Sequence, residues 1–178
     1  MLSFFLYSNP KMNATSTDQI LQKIDRLEEY TVQMEAEDTT VSKVGVDWHL
    51  AHSLKTINGI CDALAKSSPE DYSWSANVAR TMSLTFNFIP RGRAQSPRSV
   101  IPDEVITLAD LQQMIQQARL NVQKAIMLPE QANFEHPVFG VITRGEALRF
   151  LEVHTQHHLK IIEDIIGHAP IALAFNKS

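Results

Sequence analysis

Seven histidines are the residues of this 178-residue chain best suited to metal or acid–base chemistry, because imidazole binds divalent ions and titrates near neutral pH. His154 and His158 are four residues apart in a segment with helical periodicity, so their rings project from the same side of the helix. Both fall within the apolar arc of that helix. Two imidazoles one turn apart, aimed into a core, form a good platform for a divalent metal.

A third histidine ligand is available on the second predicted helix, which carries His49 and His52. His49 borders the apolar arc of that helix, whereas His52 lies further round, on the polar side. Helical geometry therefore favours His49 as the third ligand. Two ligands from one helix and one from another leave coordination positions open, as in catalytic sites. The alternative is that these histidines are hydrogen-bonded core residues without a metal.

Five side chains are candidates for a catalytic role beside such a metal. His157 lies at the edge of the apolar arc of the last helix, and either His157 or His52 could transfer protons. Arg91 and Arg93, with Arg98, could hold a carboxylate of a substrate. The alternative for these arginines is a solvated loop.

Two other residues of reactive type are predicted to be structural. His136 precedes Pro137 in a loop and is expected to form hydrogen bonds there rather than bind a metal. Cys61 lies on the apolar arc of the second helix, three turns from His49. It is expected to pack in the core rather than act as a fourth ligand.

The elements that must position these residues are helices. Apolar periodicity predicts helices over residues 17–37, 46–66, 75–87, 107–127 and 143–167. Polar side chains at three starts resemble capping boxes, namely Ser16 with Gln19, Thr107 with Asp110 and Thr143 with Glu146. Residues 90–106 contain three prolines and are predicted to be irregular, and no strand with sustained alternation is seen. The fold class is all-α: an antiparallel four-helix bundle with an extra short helix and long irregular loops.

The composition is that of a globular protein, with 44% hydrophobic and 20% charged residues. We expect one helical domain over residues 15–170, a disordered or non-native lead over 1–14 and a tail over 171–178. The net charge of −4 argues against a general nucleic-acid binder. No segment is long and apolar enough for a membrane span. A single cysteine cannot form an internal disulfide, which favours a reducing, cytoplasmic location.

Two histidine blocks resemble the DinB/YfiT-like superfamily of metal-binding four-helix bundles. They are Trp48-His49-Leu50-Ala51-His52 and His154-Thr155-Gln156-His157-His158. The blocks Ile89-Pro90-Arg91-Gly92-Arg93-Ala94 and His136-Pro137-Val138-Phe139-Gly140 are similar to a branch of uncharacterised, mainly bacterial proteins. The resemblance covers most of residues 15–167.

The resemblance implies a divalent metal ion, Zn, Ni or Fe, bound by one histidine of the second helix and an HxxxH pair of the last. These positions correspond to His49, His154 and His158, and in some relatives the second-helix ligand corresponds to His52. The function it suggests is a metal-dependent transferase or hydrolase that acts on a small molecule, with a low-molecular-weight thiol as a candidate substrate. The alternative is a non-catalytic metal-binding or stress-associated protein. A homodimer is compatible with the superfamily.

Overall fold

The structure of the chain, a computed structural model, describes residues 14–91, 97–102 and 105–168. Residues 1–13 of the predicted lead, the predicted tail over 171–178 and Arg93 lie outside the described residues. Over the described ranges the chain forms five α-helices and one two-stranded sheet, in the order α1 (Ala14–Glu29), α2 (Val46–Ala65), α3 (Val78–Phe86), α4 (Leu108–Ala125), β1 (Asn133–His136), β2 (Gly140–Thr143) and α5 (Arg144–His168). The all-α fold class is confirmed at the level of a mostly helical chain.

Helix α1 differs from its prediction at both ends. It is already formed at Ala14, three residues before the predicted start at residue 17, so Ser16 lies within the helix and not at its N-cap. It ends at Glu29, and a 3-10 turn over Tyr30–Gln33 replaces the α-helix predicted to reach residue 37. The hydroxyl of Thr31 donates to the carbonyl of Glu28 at 2.8 Å. Such side-chain competition and β-branching both weaken an α-helix at this point.

The other two predicted capping boxes are confirmed. The Thr107 side chain accepts from the backbone N–H of Asp110, whose carboxylate accepts from the N–H of Thr107 at 3.0 Å. At the start of α5, Thr143 and Glu146 exchange the same pair of bonds, at 3.0 and 3.4 Å. Each arrangement satisfies backbone donors that a helix start leaves unpaired.

The four long helices pack in pairs around one apolar core. Helix α1 contacts α4 and α5, and α2 contacts the same two helices. The side chains that fill the space between them include fully buried Leu50, Leu54 and Ile57 from α2 and Leu151 and Ile162 from α5. This packing places the histidine-bearing faces of α2 and α5 against each other.

The sheet is an antiparallel hairpin that the sequence prediction of no strands missed. Strand β1 pairs with β2 in a register that sets Phe134 opposite Ile142 and His136 opposite Gly140. Each strand is four residues long, which is too short for alternation to emerge from the sequence. Gly140 has a φ of +68°, a conformation that glycine adopts without a steric penalty.

A buried arginine ties α3 to this hairpin. The Arg80 side chain is nearly inaccessible, at 4% relative exposure. It donates to the carbonyl oxygens of Val141, at 3.0 Å, and of Ser75. Its Nε also lies 3.4 Å from a carboxylate oxygen of Glu146 at the start of α5. The guanidinium therefore fixes α3 and the hairpin to the start of α5.

Candidate metal centre

Helices α2 and α5 bring three histidines together. One ring nitrogen from each of His52, His154 and His158 can be chosen so that the three atoms lie within 4.8 Å of one another. The Nε2 atoms of His154 and His158 are 3.3 Å apart, a contact that their four-residue spacing on one helix allows. His52 and His158 are buried and His154 is partly buried. The predicted pair on the last helix is thus brought together with one histidine of the second helix.

The orientation of His52 is fixed on two sides. Its Nδ1 lies 2.8 Å from the carbonyl oxygen of Val100. A carbonyl can only accept, so Nδ1 carries the proton and the lone pair of the neutral ring is on Nε2. The indole of Trp48 stacks on the ring, with centroids 4.7 Å apart and an angle of 14° between the planes. Contacts of this kind hold metal-binding imidazoles in position.

His49, favoured from the helical arc as the third ligand, is not in this group. Its Nδ1 lies 3.0 Å from Nδ1 of His158, and its Nε2 lies 3.0 Å from the hydroxyl oxygen of Ser42. Both of its nitrogens therefore have protein partners. The structure favours His52, the alternative ligand from the same helix. The apolar arc predicted that His52 lies on the polar side of α2. The segment that contains Val100 packs against that side, so His52 is only 3% exposed.

Burial lowers the pKa values of these histidines. Desolvation, with smaller contributions from neighbouring positive charges, brings the pKa of His49 to about 4. Desolvation also holds the pKa values of His154 and His158 well below 6.5, with the neighbouring histidines adding to the effect. It lowers the pKa of His52 as well, opposed by the hydrogen bond to Val100. All four rings are therefore neutral at neutral pH, the form of imidazole that binds metals.

The spacing of the ring nitrogens tests whether a metal ion fits these residues. Two nitrogens that are each about 2.0–2.1 Å from a tetrahedral zinc ion lie about 3.3–3.4 Å from each other. The Nε2 atoms of His154 and His158 have that separation. The histidine pair of α5 therefore fits a divalent ion bound through Nε2.

Of the predicted catalytic side chains, His52 lies in the group itself, where it is a candidate ligand rather than a proton-transfer residue, and His157 and Arg91 lie around it. His157 is partly buried, and its ring centroid is 5.1 Å from that of His158. Burial and the charge of Arg91 lower its pKa, while a hydrogen bond with the backbone of Ile89 raises it. Arg91 forms an ion pair with Asp164 at 2.7 Å, and both side chains are about half exposed.

His136 and Cys61 are structural residues, as expected. Nδ1 of His136 accepts from the backbone N–H groups of Val138 and Phe139, both at 3.1 Å, and so closes the hairpin turn. Cys61 is buried in the apolar core. Burial raises the pKa of its thiol to about 12, so the thiolate that binds metals is strongly disfavoured.

Sequence reasoning missed two groups that position the histidines. These are the hydroxyl of Ser42, which contacts His49, and the carbonyl of Val100, which fixes His52. Ser42 precedes α2 by four residues, and Val100 lies 48 residues beyond His52. Neither position carries a local signal, because both contacts depend on how loops cross the end of α2.

A cleft of about 1740 Å³ opens beside the histidines. His49, His52, His154, His157 and His158 all contribute to its lining. The other lining residues come mainly from α2, α3, the hairpin and the segments 88–91 and 97–100. A small molecule in this cleft would have direct access to the histidine group.

Comparison of the chain with protein-family models, curated proteins and solved structures finds no match. Fold and site together define a mostly helical protein with a candidate three-histidine metal site. Within the described ranges, none of the helices combines the length and apolar character that crossing a bilayer requires.

Proposed function

We propose that this chain is a divalent-metal protein of the DinB/YfiT-like four-helix-bundle class, with His52, His154 and His158 as its ligands. The observation that carries the proposal is the grouping of one ring nitrogen from each of the three histidines within 4.8 Å. The expected ion is Zn, Ni or Fe, all of which suit imidazole. With three protein ligands, at least one coordination position stays open for a substrate.

The proton positions around this centre follow from its hydrogen bonds. If Nε2 of His158 is the ligand atom, its Nδ1 carries the proton and donates to Nδ1 of His49. His49 then carries its own proton on Nε2, which donates to the hydroxyl of Ser42. His49 thus orients His158 without binding the metal. Outer hydrogen-bond partners of this kind are a regular part of metal sites.

The activity that this centre supports best is transfer to, or hydrolysis of, a small molecule. A divalent ion at such a site lowers the pKa of a bound thiol or water. A low-molecular-weight thiol is therefore a candidate substrate. His157 lines the same cleft and is a candidate to accept or release the proton. The cleft beside the histidines favours this enzyme over a non-catalytic metal-binding protein, whose centre would need no room for a substrate.

An activity screen with a metal-depleted control tests this proposal. Wild-type protein loaded with zinc, nickel or iron is assayed for thiol transfer and ester hydrolysis, beside chelator-treated protein and the His154→Ala/His158→Ala variant. We expect an activity that needs both the metal and the histidine pair. Loaded protein that is inactive throughout would favour the non-catalytic metal-binding alternative, and activity that survives in the double variant would contradict the proposal.

A further inference from the structure

Large apolar side chains line the cleft beside the histidines and are more than half exposed to solvent. Met82 and Phe86 from α3, Phe88 just after it and Val138 from the hairpin turn are 53, 65, 62 and 52% exposed, and all four line the cleft. Single exposed apolar residues are ordinary on protein surfaces. Apolar residues gathered on the walls of one concavity mark a binding site for apolar surface.

An aromatic wall connects the hairpin side of this cleft with the histidine group. The ring of His136 stacks on Phe139 with centroids 4.4 Å apart. Phe139 meets Phe150 edge-on at 5.6 Å, and Phe150 lies 5.3 Å from His154. Phe139 and Phe150 are only 5 and 6% exposed, so these rings form the buried backing of the cleft between the hairpin and His154.

Few of the described residues that line the cleft carry a charge. Among the described residues that line it, the charged side chains are Lys43, Arg91 and Glu135. Arg91 is already paired with Asp164. An uncharged apolar body would displace water from the apolar walls that the described residues form.

The shape of the surface favours a small molecule over a second copy of the chain. Protein–protein interfaces of standard size are broad surfaces of about 800 Å² per partner. Here the exposed apolar side chains line a concavity that has the histidine group in its lining. Its volume of about 1740 Å³ accommodates an extended chain or a multi-ring body.

We infer that the substrate of this site is a molecule with an extended apolar body and one polar group, the body lying in the cleft of Met82, Phe86, Phe88 and Val138 and the polar group reaching His52, His154 and His158. The inference rests on the proposed metal function. It narrows the substrate class from any small molecule to an apolar one.

A series of straight-chain alkyl hydroxamates, from acetohydroxamate to octanohydroxamate, tests this inference. The hydroxamate group binds zinc and is constant, so only the apolar body changes along the series. Each inhibitor is titrated calorimetrically into the zinc-loaded full chain. We expect the affinity to rise about two- to fourfold for each added methylene group, as burial of that group predicts.

A matched pair of methionine variants shows where the alkyl chain lies. Met82→Ser removes apolar surface from the cleft, and Met127→Ser does so at a side chain that is 82% exposed and outside the lining. Both side chains are exposed, so neither change should impair folding. We expect Met82→Ser to weaken octanohydroxamate several-fold and leave acetohydroxamate unchanged. Met127→Ser should bind both as the wild type does.

The remaining outcomes separate this inference from the metal proposal. Zinc-loaded protein that binds every hydroxamate equally well would overturn the inference and leave the metal site intact.

Protein that holds no metal would contradict the proposed function, and the cleft is then probed with 1-octanol alone. Weaker 1-octanol binding in Met82→Ser supports the apolar cleft, and no 1-octanol binding overturns it. A third outcome concerns self-association. If Met82→Ser changes the molecular mass of the protein in solution but not the dependence of hydroxamate affinity on alkyl length, then Met82 contacts a second copy of the chain. That result would also overturn the inference.

Discussion

The hydrogen bond between His49 and His158 can be broken without removing a proposed ligand. His49→Leu replaces the ring with an apolar side chain that cannot accept a hydrogen bond. In the proposed arrangement, Nδ1–H of His158 donates to Nδ1 of His49 at 3.0 Å, so this buried donor loses its partner. The three proposed ligands, His52, His154 and His158, are all retained.

The expected loss of affinity follows from the burial of this contact. Loss of an outer hydrogen-bond partner lowers metal affinity about 10- to 100-fold, which corresponds to about 1.4–2.7 kcal/mol. That range agrees with the cost of leaving a buried donor unpaired, about 1–3 kcal/mol. His49 is 4% exposed, so water cannot easily replace the missing acceptor. We therefore expect His49→Leu to bind one metal ion per chain, but 10- to 100-fold more weakly.

A competition titration against a chromophoric zinc chelator measures this change. His49→Asn is the matched variant, because its Oδ1 is as many bonds from the backbone as Nδ1 of histidine and can accept the same bond. We expect it to restore most of the affinity. His52→Ala, which removes a proposed ligand, should instead abolish tight binding. Far-UV circular dichroism shows whether each variant keeps its helices.

Two results would refute this account of His49. If His49→Leu loses the metal entirely while His52→Ala keeps it, then His49 is the ligand, as its position on the helical arc predicted. If His49→Leu binds metal with wild-type affinity, the contact with His158 does not influence the site.

Three further predictions concern the surroundings of the site. Arg80→Met should lower the free energy of unfolding by about 2–4 kcal/mol, because buried carbonyls and Glu146 lose their partner. Arg119→Met, at a surface ion pair, should lower it by less than about 1 kcal/mol. Equal losses for the two variants in urea titrations would contradict this prediction. The folded-state pKa of His136 is about 4 because of burial, against 6.5 in the unfolded chain. As the pH falls, the unfolded chain therefore binds the proton before the folded chain does. Between pH 6.5 and 4 the free energy of unfolding should fall by at most about 3 kcal/mol more in the wild type than in His136→Asn. Parallel pH profiles of the two proteins would exclude this contribution. Cys61 should not react with a thiol reagent in the folded protein and should react fully in denaturant, because burial raises the pKa of its thiol to about 12; rapid labelling of native protein would show that the core opens.

The helices and the histidine pair were predictable because their signals are local. The apolar stripe of α2 and the capping boxes at Thr107 and Thr143 depend on residues within one or two turns of each other. The spacing of His154 and His158 on a helix fixes their proximity in the same way. The predicted all-α class and the predicted pair follow from such short-range geometry.

The choice between His49 and His52 was not predictable from the arc of one helix. His52 is buried because the segment around Val100 crosses α2, and no pattern near either histidine encodes that crossing. The hairpin was missed for a related reason. Its strands are only four residues long, and α2, α5 and the buried Arg80 support them. Long-range packing therefore determined the burial of His52 and the formation of the hairpin, which local periodicity does not encode.

The central claim is that this chain holds one divalent metal ion with His52, His154 and His158. Metal content, measured by elemental mass spectrometry on untagged protein, tests it most directly, for the wild type and for His154→Ala/His158→Ala. We predict about one zinc, nickel or iron ion per wild-type chain and none in the double variant, with the helical signal retained. Wild-type protein that contains no metal, even after incubation with each of these ions, would contradict the claim.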